Sequence, residues 1–124
     1  MSQTLTDPNS EPHSLRYAQE KLYLSVLILA TGTGSLRKRL ANAYSSQLMR
    51  LLPEDIPSHM RETLQEITAQ LTKNKAAHPL DSSAAASTRT MHYLKAQRIA
   101  EQIVSMYDQL VYFEQSSEES ASDS

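Results

Sequence analysis

Three consecutive cations, Arg37, Lys38 and Arg39, follow a glycine-rich turn, Gly32-Thr33-Gly34-Ser35. Such a turn can aim backbone N–H groups at an anion, a helix N-terminus adds positive potential, and nearby Arg or Lys completes a phosphate cradle. The nucleotide-binding versions of this arrangement are missing: no Walker lysine follows the second glycine, no strand precedes the turn, and the dinucleotide-binding glycine spacing is absent. The simpler reading is a helix–helix turn with a solvated basic patch. If an anion does bind, Arg37, Lys38, Arg39 and Arg50 are the residues it would meet.

The other chemistry-bearing residues are scattered. His13, His59, His78 and His92 never pair at three- or four-residue spacing, so no metal site is expected. Glu54 and Asp55 read as acids at a helix start, and Glu62 and Glu66 as a solvated helix face. No nucleophile elbow occurs, so no catalytic residue and no cofactor is assigned, and enzymatic activity is not expected. Tyrosine outnumbers phenylalanine six to one. An apolar body with a polar tip suits the edge of a core or an interface. Tyr93, Tyr107 and Tyr112, together with Met49 and Met91, are the candidates for a partner surface.

What must position these residues is a set of helices. The chain has 124 residues, enough for one domain with a real core. It has no cysteine, which excludes a disulfide framework and fits a reducing compartment; the expected location is cytoplasmic. Its two glycines both fall in the Thr31–Gly34 region, β-branched runs are missing, and Ala, Leu, Gln and Glu are common, which favours helix throughout. The formal net charge of −2 predicts no strong global attraction to nucleic acid.

The central element is the helix beginning after Ser14, a suitable N-cap. Leu15, Ala18, Leu22, Val26 and Leu29 keep helical spacing, and Tyr23, Leu24, Leu27 and Ile28 widen that face until the second half is apolar almost all round. This predicts the buried centre of a bundle, with Leu22–Leu29 enclosed by neighbours. The apolar run is too short to span a bilayer, which takes ~20 residues, and its flank lacks the basic character of a leader. Gly32 is the expected left-handed residue closing the helix.

A second helix is predicted from Ser35 to about Leu52, with Leu36, Leu40, Ala43, Tyr44 and Leu51 buried. Placing cations in its first turn opposes the helix dipole, a local conflict of the kind that marks functional positions. A third helix is predicted to start at Pro57, its stripe running Ile56, Met60, Leu64, Ile67 and Leu71. Ala96, Ile99, Ile103, Met106, Leu110 and Phe113 form the last stripe. Met91 and Leu94 lie off that line, which predicts a break between His92 and Lys95.

The expected fold is all-α: a small antiparallel bundle of four principal helices, the fourth kinked or split near 92–95. A flexible arm is expected at 1–13, one domain at 14–115, and a disordered acidic serine-rich tail at 116–124. From Ile99 onward the chain has Glu101, Asp108, Glu114, Glu118, Glu119 and Asp123 and no Lys or Arg. The leading expectation for function is a non-enzymatic interaction module that self-associates or binds a protein partner through a helix face, either the heptad-like Ile99–Phe113 segment or the Met49 side of the second helix. The second is an anion or nucleic-acid binder using the basic helix, with the acidic tail as competitor. No membrane contact is expected.

Overall fold

Short serine-led caps and single-turn breaks divide the chain more finely than its hydrophobic pattern does. The computed structural model describes the backbone of residues 3–123 and the side chains of residues 15–115. The expected arm and tail lie outside the residues with described side chains. Among the described residues all regular structure is helical: α1 (Gln3–Thr31), α2 (Leu36–Ser46), α3 (Arg61–Leu71), α4 (Ser83–Arg89) and α5 (Tyr93–Asp123). Three single 3-10 turns, Leu48–Arg50, Pro53–Asp55 and Ser58–Met60, join α2 to α3. No described helix is long and apolar enough to cross a membrane.

The turn after α1 is built differently from the expectation. Gly34, at φ +90°, is the left-handed residue, whereas Gly32 has no positive φ. Gly32 serves close approach instead: its N–H bonds to the Ile28 carbonyl at 2.8 Å, and a Cβ there would lie 2.6 Å from that oxygen. Ser35 then caps α2, its hydroxyl accepting from the Lys38 N–H at 3.2 Å.

α2 ends six residues earlier than its apolar spacing suggests. The Ser46 hydroxyl bonds back to the Asn42 carbonyl at 2.7 Å, a competitor to helix propagation, and Gln47 leaves helical geometry. Met49, Arg50 and Leu51 therefore sit on or beyond a 3-10 turn, although Leu51 is still buried. Pro57 opens a 3-10 turn, and α3 proper starts at Arg61. Its predicted stripe, Ile56 to Leu71, is buried throughout. The break expected between His92 and Lys95 falls earlier, at Thr90–His92, and it lets Met91 turn into the core while Leu94 stays exposed.

α1 packs chiefly against α5 and α2, and α2 also packs against α4. Their shared core contains Ala18, Leu22, Leu40, Ala43, Leu48, Ile67, Leu71, Ala96, Ile103 and Leu110. α1, however, is not the enclosed centre. Leu22, Ser25 and Leu29 are buried, but Tyr23 is 48% exposed and Leu27 40%. The edge of α1 that carries Ala18, Leu22, Ser25 and Leu29 is the one set deepest in the core. Ser25 can sit fully buried on that edge because its hydroxyl bonds to the Lys21 carbonyl at 2.8 Å.

Candidate functional site

The arginines of the basic segment are engaged with backbone. Arg39 donates from Nη1 to the Leu29 carbonyl at 2.5 Å and from Nε to the Gly34 carbonyl at 3.1 Å. Arg37 Nη1 donates to the Met91 carbonyl at 3.1 Å and, more weakly, to that of Arg89 at 3.4 Å. Arg50 Nε reaches the Ser46 carbonyl at 3.3 Å. The last carbonyls of a helix lack intrahelical partners and carry partial negative charge. Arg39 thus closes α1, Arg37 closes α4, and Arg50 closes α2. The cations that oppose the dipole of their own helix answer the dipoles of two others. Among the described residues, no partner is present for the Lys38 ammonium, which stays exposed.

The structure adds a cation that the sequence reading did not include. Arg89, Arg37 and Lys38 surround a hollow of about 370 Å³ floored by Ser35, Ala41, Ala85 and Thr88. Arg89 is held by Asp81 across a 2.5 Å ion pair. The Asp81 carboxyl also accepts the Ala77 N–H at 2.9 Å; that bond first, and then Arg89, hold its pKa at about 2, below the ordinary 3.8. Asp81 therefore ties the loop between α3 and α4 to the end of α4.

A larger concavity lies between the open edge of α1 and α5. It encloses about 760 Å³ and is lined by Val26, Leu29 and Ala30 from α1, by Leu36, and by Gln97, Ala100, Glu101, Val104, Ser105, Tyr107 and Asp108 from α5. The Tyr23 and Tyr107 rings meet beside it, centroids 6.0 Å apart and tilted by 48°, within the range of favourable aromatic pairs. Val104 is 46% exposed. The lining is mainly apolar, and its polar members, Gln97, Glu101, Ser105 and Asp108, are exposed, the usual make-up of a recognition groove. Glu101 and Asp108 form no ion pair with the described residues.

The remaining candidates do not converge. Tyr107 belongs to the groove, but Tyr93 and Tyr112 are exposed, and neither lines it. Met49 lines a separate cleft of about 380 Å³ with Leu52 and Pro53. Met91 is buried. The His59 ring lies tilted by 50° to that of Phe113, centroids 6.0 Å apart, and the Nδ1 of His92 accepts the Leu94 N–H at α5's start. No group of three His, Asp or Glu side chains among the described residues is placed to hold a metal ion.

Val26, Ala30, Ala100, Glu101, Val104 and Asp108 were absent from the sequence-based candidates. For Val26 and Ala30 the signal was the excess width of α1's apolar face, read there as burial; on α5 the Ile99–Leu110 stripe expected to offer a partner face is itself buried, and the groove residues lie beside it. The chain matches no family model, no curated protein and no solved structure.

Proposed function

We propose that this protein is a non-enzymatic docking module whose working surface is the groove between α1 and α5. The observation that carries the reading is apolar surface left uncovered on both helices in a chain with a well-formed core: Val104 in the groove and Tyr23 and Leu27 on α1 are each at least 40% exposed. Contiguous apolar surface on a small protein, rimmed by polar groups, marks a contact site more often than scattered exposed residues do. A groove between two packed helices suits an added helix, which would complete the packing around α1. Met49 and Leu52 offer a smaller secondary patch.

A photocrosslinking amino acid at Val104 tests this, with one at Glu62 on the exposed face of α3 as control. The expected result in cells is a discrete adduct from position 104, absent from position 62 and abolished by Ala30→Arg. Identical adducts from both positions, or none from 104, would remove the groove as a contact surface.

The second reading is oxyanion binding at α2, supported by the convergence of Arg37, Lys38 and Arg89 on one hollow. It is the weaker of the two because Arg37 and Arg89 already serve carbonyls and Asp81. It requires affinity for phosphate or DNA that falls steeply with salt and disappears in Lys38→Glu.

A further inference from the structure

The groove has a charge signature that narrows its occupant. Glu101 and Asp108 stand on its rim, seven residues apart on α5. Seven residues make two turns, so both carboxylates lie on one face about 10.5 Å apart along the axis. No basic residue lines the groove; Arg98, one turn before Glu101, makes no ion pair with it, and α5 carries neither Lys nor Arg beyond Arg98. The same α5 wall carries Ala100 and Val104, and α1 contributes Ala30 and Val26. Two of these are alanines, so the floor leaves room for larger side chains from outside.

We propose, resting on the docking reading above, that the groove takes an amphipathic helix of another protein. Its apolar stripe lies on Val26, Ala30, Ala100 and Val104, and two Lys or Arg side chains about seven residues apart meet Glu101 and Asp108. The α5 wall runs from Gln97 to Asp108, which as helix is about 16 Å, so the guest contributes about three turns. Charge complementarity selects against the other occupants. A second copy docking groove to groove brings four carboxylates onto one apolar patch, and juxtaposed like charges are costly. The chain's own segment 116–124 has Glu118, Glu119 and Asp123 and no base, so it is repelled too. Anionic lipid is disfavoured by the same rim.

A display library of 14-residue helices, randomised along one stripe and its flanks, is selected on the full chain and counter-selected on Val104→Arg. Enrichment of bulky apolar residues along the stripe with Lys or Arg at two positions seven apart is the expected result. The selected peptide should bind Glu101→Lys/Asp108→Lys at least ~10-fold more weakly. Enriched peptides that are acidic or neutral, or that bind the charge-reversed variant equally well, would overturn the basic guest while leaving groove docking standing. No enrichment over the Val104→Arg counter-selection would overturn both. Circular dichroism of each variant keeps loss of folding from passing as loss of binding. Two further measurements, on the free chain, decide the rival occupants. A dimer dissociated by Val104→Arg assigns the groove to a second copy. Binding to phosphatidylserine vesicles lost in that variant assigns it to lipid. Either result overturns the proposal.

Discussion

The α1–α5 groove and the first turn of α2 each reverse what composition alone suggests. The groove is lined mainly by Val, Ala, Leu and Tyr side chains, with Gln97, Glu101, Ser105 and Asp108 among them, and is open to water. The α2 turn is made of cations, and two of its three side chains are bonded into backbone. Composition reports what a side chain favours; the neighbouring elements decide whether that preference is met. α1 has more apolar circumference than α2 and α5 together cover. The unpaired carbonyls at the ends of α1 and α4 happen to fall within arginine reach of α2.

The widest separation should come from the two edges of α1. Leu22 is fully buried, so Leu22→Ala is expected to destabilise by about 2–5 kcal/mol in chemical denaturation. Leu27→Ala, on the wet edge, should stay within about 0.5 kcal/mol. Similar losses for both would mean that the exposed side of α1 is as much core as its opposite, and the contrast would collapse.

Next in size is the basic turn. Arg39→Ala removes two charge-assisted bonds from a partly buried site and should cost about 1.5–3 kcal/mol. Lys38→Ala should be neutral within about 0.5 kcal/mol. If Arg39→Ala proves as neutral as Lys38→Ala, the arginine is a surface charge and the anion-binding reading regains ground. Gly34→Ala should cost about 1–2 kcal/mol, because an L side chain is strained at φ +90°. A silent Gly34→Ala in thermal melts would contradict the turn that presents Arg39 to α1.

The smallest effect concerns acid. Asp81 has its folded pKa lowered to about 2 from 3.8. Its contribution to stability is therefore complete above about pH 4 and lost as pH falls toward 2. Thermal melts should show Asp81→Asn destabilised at pH 6 and converging on the parent near pH 2. Parallel curves over that range would mean that Asp81 does not anchor Arg89 beside the basic hollow.

Much of this fold is written in spacing. The α3 stripe and the line from Ala96 to Leu110 are legible because one helix face repeats every three or four residues regardless of partner. The off-line Met91 exposed the break before α5 for the same reason. The end of α2 was not legible: its apolar spacing runs on through Leu51, while a side-chain bond from Ser46 and the geometry of Gln47 stop the helix. The candidate groove was half legible. Tyr107 stood out by type, but Ala30, Ala100 and Val104 looked like any residues near a core.

By itself, then, the sequence determined that the chain is helical, where its buried stripes lie, and that its cations and acids are segregated, since these follow from local geometry and side-chain chemistry. Only the tertiary structure decided which edge of α1 is covered, and that Arg37 and Arg39 serve the carbonyl ends of other helices. Both depend on the placement of elements distant in sequence, and a three-or-four repeat carries no information about how many neighbours a helix will have.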